Sequence, residues 1–249
     1  MWSRGLAGLG ASTKALPVKR RGSSAALLTL LALAACRAEP ESPRFPEAHR
    51  QVAPIVSDSF STENARDRLG EAEEVMAFAG IARGMSVADI GAGEGYYTVR
   101  LSPIVGSRGR VLAQDIVPET RDRLAQRVQR ESLDNVSVRL GKPHDPMLPA
   151  ASFDRIFLVH MYHEVTAPYA FLWHLRESLK PGGEIIVVDA DRPVERHGMP
   201  PKLLMCEFDS LGLAPVRGKR LTGADSYATA FRVARPRPAP GAIKACSAP

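Results

Sequence analysis

The stretch Val87-Ala-Asp-Ile-Gly-Ala-Gly-Glu-Gly-Tyr-Tyr-Thr98 constrains this chain more than any other, because it joins an apolar run to a helix start through three closely spaced glycines. Val87, Ala88 and Ile90 suit a buried parallel strand. Gly91, Gly93 and Gly95 let the backbone turn sharply and approach a ligand with no Cβ in the way. A ligand is therefore expected at the strand's carboxyl end. A dinucleotide site uses G-x-G-x-x-G, with pyrophosphate on the helix N-terminus. Here the spacing is G-x-G-x-G, and Tyr96 stands where the last glycine would be. Asp89, just before the first glycine, is expected to turn a carboxylate toward the site. That charge repels phosphate and suits a cation or amine, so the sequence points to a zwitterionic ligand.

Further apolar runs follow in order. Val111-Leu-Ala-Gln-Asp115 is a second strand ending in an acid, Val136 to Leu140 a third, Arg155 to Val159 a fourth and Glu184 to Val188 a fifth. Helices are expected at Tyr96 to Val105, at Pro118 to Ser132 with proline near its start, and at Ala167 to Leu179. These are βαβ units, whose right-handed crossovers build a doubly wound sheet with its crevice at the strands' carboxyl ends. Another helix, from Pro200-Pro201 to Leu211, precedes two strands at 215–220 and 227–233.

The glycine turn, Asp115, the 152–160 run and Leu179-Lys-Pro-Gly-Gly-Glu-Ile-Ile-Val-Val-Asp189 together resemble the class I S-adenosylmethionine-dependent methyltransferases, over about residues 62–233. The resemblance implies an α/β fold with a mostly parallel, seven-stranded Rossmann-like sheet and an antiparallel edge element. It implies S-adenosyl-L-methionine as cofactor, held by Asp89, Gly91, Ala92, Gly93, Gly95, Tyr96, Asp115 and Ile116. Asp115 follows Gly95 by 20 residues, the interval at which an acid reaches ribose hydroxyls. After Gly141 the family often places an acid against the adenine amino group. Here Lys142 stands there instead, leaving Asp145 and His144 as candidates for that contact.

The fourth strand delivers His160-Met-Tyr-His-Glu164 to the crevice, where the resemblance places the small-molecule acceptor. His160, Tyr162, His163 and Glu164 are the candidate catalytic residues, since histidine and glutamate serve acid–base work near neutral pH. A backbone-bonded histidine at a helix start is the structural alternative for His163. His160, His163 and Glu164 are all metal-ligand types, but His-x-x-His-Glu is not a zincin pattern and no cysteine pair accompanies it, so metal is the lesser reading and none is expected. Asp189, Asp191, Arg192 and His197 in the loop after the fifth strand are further substrate candidates. A single amphipathic helix is expected over 62–80, from which Arg66, Asp67 and Glu74 could reach the pocket.

The formal charge of +6 does not imply nucleic acid. Arg4, Lys14, Lys19, Arg20 and Arg21 precede residue 36, where there is no acid, and setting these five aside leaves 28 bases against 27 acids. Lys19-Arg20-Arg21, the 11-residue apolar run Ala25 to Ala35, and Leu33-Ala-Ala-Cys36 read instead as a signal segment. They resemble a bacterial lipobox, which implies lipidation at Cys36 and a periplasm-facing envelope anchor, with a cytoplasmic location as the alternative. The expected division is signal 1–35, lipidated Cys36 and flexible tether 36–61, domain 62–233 and disordered Pro-rich tail 234–249. Cys206 reads as a buried thiol and no disulfide framework is expected. Methyl transfer to a small molecule is the first functional reading. An envelope-anchored binding protein without turnover is the second, and a dehydrogenase, disfavoured by the glycine spacing, the third.

Overall fold

The computed structural model describes residues 44–55, 63–222 and 225–247. The expected signal 1–35 and Cys36 lie outside the described residues. Strands β1 (Ser86–Ile90), β2 (Arg110–Asp115), β3 (Val136–Leu140), β4 (Phe153–Val159), β5 (Leu179–Ala190), β6 (Leu213–Arg220) and β7 (Ser226–Val233) form one sheet in the order β3-β2-β1-β4-β5-β7-β6. The first five pair in parallel. β7 runs antiparallel between β5 and β6, so the expected antiparallel element is present one strand in from the rim, with β6 at the edge.

Both faces are covered, which explains why the central strands read as continuous apolar runs. Side chains alternate across a strand. Ala88, Ile90, Ile156, Leu158, Ile185 and Val187 pack on one face against helices α5 (Pro168–Leu175) and α6 (Pro201–Ser210). Val87, Phe157, Ile186 and Val188 pack on the other against α2 (Glu71–Ala79) and α3 (Tyr96–Val105). The chain winds outward from β1 to β3, with α4 (Pro118–Arg130) between β2 and β3, then returns to place β4 on the other side of β1. Strand order reverses there, and the carboxyl ends of β1 and β4 open a crevice.

Four expectations are corrected. The leading segment is two helices, α1 (Glu63–Leu69) and α2, because Gly70 takes a left-handed φ of 65°. The helix expected to reach Leu179 ends at Leu175 and tightens into a 3-10 turn, Arg176–Ser178. The tether is fixed at residues 44–55: the side chain of Arg50 is 1% exposed and donates to Glu207 Oε1 at 2.8 Å, and Phe45 meets Trp173 edge-on at 5.6 Å. The tail is fixed too, with Ile243 and Cys246 buried, Pro238 accepting the Trp173 indole N–H at 3.0 Å and a Cys206–Cys246 disulfide. Composition misled here because it carries no record of the aromatic side chains Tyr169 and Trp173 of α5, on which these two segments pack. Among the described residues no helix is long and apolar enough to cross a membrane.

Candidate functional site

A cavity of about 760 Å³ lies over the carboxyl ends of β1 and β4, and two chemically different walls face each other across it. The first is the glycine turn. Gly91, Ala92 and Gly93 line it, and a Cβ at Gly91 would sit 2.9 Å from the Met161 side chain, so the turn needs glycine there. Asp115, at the end of β2, locks the turn in place: its Oδ2 accepts the Gly93 N–H at 3.0 Å and its Oδ1 the Val117 N–H at 2.9 Å. Each carboxylate oxygen keeps a further lone pair for a ligand hydroxyl. Beside it, Gln114 Nε2 is a buried donor with no partner among the described residues. An unmade buried hydrogen bond costs about 1–3 kcal/mol, so a ligand acceptor at this point is stabilising. The wall fits a ribose and an adjoining polar group.

Asp89 is not on that wall. Its carboxylate is buried beneath the turn and accepts the Thr98 hydroxyl at 2.6 Å, pinning the start of α3. Burial pushes its pKa up to about 6, against the lowering effect of the Thr98 bond. Gly95 also serves packing, since a Cβ there would meet Leu124 at 2.5 Å. Tyr96 and Ile116 do line the cavity. The Tyr96 ring lies between the guanidiniums of Arg66 and Arg100 at 3.9 and 3.8 Å, and its hydroxyl donates to Asp67. Asp145 does not reach the cavity. Its carboxylate accepts the Met147 N–H, while Lys142 and Pro143 stand at the rim and His144 is exposed.

The opposite wall gathers side chains from distant parts of the chain. His160 follows the end of β4 with a left-handed φ of 52°, and its Nε2 lies 2.9 Å from Glu71 Oε2 at the start of α2. Burial would raise the Glu71 carboxyl, but His160 and Arg66 outweigh it and hold the group at about 2. His163 is buried, and its Nδ1 is 3.0 Å from both oxygens of Asp189, itself buried at the end of β5. Carboxylate oxygens accept, which puts a ring proton on Nδ1, so that in the neutral ring the lone pair is on Nε2. That nitrogen is 3.9 Å from Glu164 Oε1. Arg192 and His197 reach the same wall from the loop after β5.

Tyr162, expected among the catalytic residues, is fully buried in the core, and its hydroxyl donates to Glu207 at 2.8 Å. The 3-10 turn Tyr162–Glu164 that follows β4 explains this: it rotates Tyr162 into the core while Met161, His163 and Glu164 line the cavity. Asp191 pairs with Arg220, Asp67 with Arg100, and Glu74 with Lys219, and none of the three lines the cavity. Sequence reasoning missed Glu71 and Gln114. A signal for Gln114 existed, since it directly precedes Asp115 at the strand end. Glu71 gave none, because its role depends on the break at Gly70. Also missed was the support from residues 44–55: Arg50 donates to the carbonyls of Tyr162 and Val165, and Ala53 N–H donates to the carbonyl of His163.

Residues 88–187 match the protein family described as Methyltransferase domain. The chain is 32% identical over 155 residues to the ubiquinone/menaquinone biosynthesis C-methyltransferase UbiE of a Marinomonas species, covering 59% of this chain and 58% of that protein. It is 30% identical over 113 residues to the protein-L-isoaspartate O-methyltransferase of Ignicoccus hospitalis, covering 45% and 51%. The chain thus spans little more than half the length of these curated relatives. A crystal structure of a SAM dependent methyltransferase from Aquifex aeolicus superposes with a TM-score of 0.62 at 22% identity, over 70% of this chain and 99% of that one. The cyclase SpnF superposes with a TM-score of 0.60 at 14% identity, over 76% and 89%. At such identities the likeness is one of fold, and the presence of a cyclase shows that the fold alone does not fix the reaction. The stretch that matches this family runs from β1 into β5 of the mixed seven-stranded sheet.

Proposed function

We propose that this protein is an S-adenosylmethionine-dependent methyltransferase acting on a small-molecule acceptor. The observation that carries the reading is the pairing of the two walls: a glycine turn locked by Asp115 faces a histidine whose free nitrogen is oriented by a buried acid. S-adenosylmethionine supplies an electrophilic methyl group when bound. Asp115 accepts the ribose hydroxyls, Gln114 Nε2 donates to an adjoining acceptor, and the main chain of residues 91–93 gives the cofactor its close approach. Across the cavity His163 presents Nε2 to the acceptor group, holding it in line and drawing on its proton, while Asp189 stabilises the charge that the ring gains. His160, tied to Glu71, closes the side nearest α2. The curated relatives are named for carbon and for oxygen methylation, so their names do not fix the acceptor atom. The test is S-adenosylhomocysteine release, read by mass spectrometry, across a panel of small carbon, oxygen and nitrogen nucleophiles. Saturable release that is lost in His163→Ala is expected. A protein that neither binds S-adenosylmethionine nor releases product would end the proposal.

We further propose that the domain is held at the cell envelope, facing the periplasm, by a lipid on Cys36. The basic start, the apolar run and Leu33-Ala-Ala-Cys36 support it. So does the Cys206–Cys246 disulfide, because such bonds persist in oxidising compartments. Membrane fractionation with mass spectrometry of the amino terminus is the test. A mature chain beginning at a diacylated Cys36 is expected, and an intact unlipidated chain in the cytosol would overturn it.

A further inference from the structure

We propose that His163, Glu164 and His197 form a binding site for a divalent transition-metal ion of the zinc class, with an open coordination position toward the cavity. One ligand atom from each residue lies within 4.8 Å of the other two, and His163 Nε2 is 3.9 Å from Glu164 Oε1. Zinc binds imidazole nitrogen and carboxylate oxygen at about 2.0–2.2 Å, so a tetrahedral set holds its ligand atoms about 3.4 Å apart. Inward shifts of under about 1 Å per side chain close this set around an ion. Two imidazoles and one carboxylate favour zinc and its neighbours over magnesium or calcium, which prefer oxygen.

Two independent features mark the cluster as built. The first is Asp189: by accepting the hydrogen bond of His163 Nδ1–H it fixes the tautomer that turns the neutral ring's Nε2 lone pair toward Glu164, the arrangement that metal-binding histidines use. The second is the loop that carries His197. Its main chain doubles back on itself, with Arg192 N–H and Met199 N–H both donating to the carbonyl of Ala190. The path is so tight that a Cβ at Gly198 would lie 2.3 Å from Arg192 Cγ. It holds His197 at a left-handed φ of 55°, a costly conformation for a residue with a side chain, and sets its ring edge-on to His163 with centroids 5.6 Å apart. His160 is not part of the set, because its Nε2 is at Glu71. The ligands are therefore two neighbours in one loop and a third from another. The His-x-x-His-Glu pattern hides this.

The ion's binding stands apart from methyl transfer; its role in the reaction rests on that reading. An ion held by these three residues would lower the pKa of an acceptor hydroxyl or thiol so that its proton passes to solvent water before methyl transfer, and His163 would then serve as a ligand in place of accepting that proton itself. The test is calorimetric titration of the chelator-treated full chain with zinc chloride, with S-adenosylmethionine affinity measured on the same samples. One equivalent of zinc is expected, with no heat from magnesium chloride. His197→Ala and Glu164→Gln each weaken zinc by about 10-fold or more, and Asp189→Asn, which would not touch the ion, by about 10–100-fold. Cobalt chloride should give the wild-type chain a visible absorption band that His197→Ala loses, a readout that needs no variant to bind zinc. Absence of zinc binding, or binding equal in wild type and in His197→Ala, overturns the inference. Cofactor binding without a zinc site would refute this inference alone. Zinc binding without cofactor binding would refute the methyl-transfer reading alone.

Discussion

The two walls of the cavity are made in different ways. One is local: residues 90–117 contain the turn, Gln114 and Asp115, and its hydrogen bonds run mainly from main-chain N–H groups to one carboxylate. The other is assembled: Glu71, His160 to Glu164, Asp189 and His197 meet only after the sheet has closed, and their positions depend on Arg50 and Glu207 behind them. A wall built from main chain tolerates side-chain change away from its few glycines and its one acid. A wall built from distant side chains fails when any support is removed. The two can therefore be damaged separately.

The largest expected effect is on the assembled wall. Arg50→Ala leaves the buried carboxylate of Glu207 without its cation, which costs about 3–5 kcal/mol. The Tm should fall by about 2–4 °C for each of those kcal/mol. S-adenosylmethionine affinity at temperatures where the variant is folded should be little changed. A loss of cofactor binding with an unmoved Tm would mean that the walls are not separable in this way.

Next comes Asp189→Asn. It frees His163 to take the wrong tautomer, and turnover should drop about 100-fold, at the low end of what a positioned acid–base group contributes. Cofactor affinity should hold. Equal turnover in wild type and variant would remove His163 and Asp189 from the reaction.

The contrast also explains what could be read in advance. The bounds of α3 from Tyr96 to Val105 and of β3 from Val136 to Leu140 follow from apolar period and turn residues, which are local properties. That Gly91, Gly93 and Asp115 would meet at one wall of the cavity follows from equally local spacing. Asp89 was assigned to the wrong surface because the motif gives its place in sequence and not the direction in which its carboxylate points; Thr98 captures it beneath the turn. Tyr162 was misplaced because the 3-10 turn after β4 rotates it into the core. Glu71 and Arg50 were out of reach, because each depends on contacts between residues far apart in the chain. Proline-rich termini likewise read as free until α5 supplies the aromatic side chains on which they pack.

A smaller effect sharpens the comparison through pH. His160 and Arg66 hold Glu71 at about 2, below the ordinary carboxylate value of 4.5. A depressed folded value means that the stabilisation is fully present above about pH 4.5 and is lost as the pH falls toward 2. Glu71→Gln should therefore be less stable than wild type by about 2 kcal/mol near neutrality, with the gap closing below pH 4. Denaturant titrations at several pH values measure it, and a gap that widened on acidification would contradict the pairing. Smallest is Tyr162→Phe. It removes one buried hydrogen bond to a carboxylate that Arg50 still meets, so about 1–2 kcal/mol of stability should go while turnover stays near wild type. A collapse of kcat in a stable Tyr162→Phe protein would restore that hydroxyl to the reaction.

The most direct test is calorimetric titration of S-adenosylmethionine into the wild-type chain, Asp115→Ala and His163→Ala. The account predicts one-site binding to wild type, a loss of about 100-fold or more in Asp115→Ala, where both the ligand contact and the Gly93 tie disappear, and near wild-type affinity in His163→Ala. No binding to wild type, or an affinity that Asp115→Ala leaves unchanged, would contradict it.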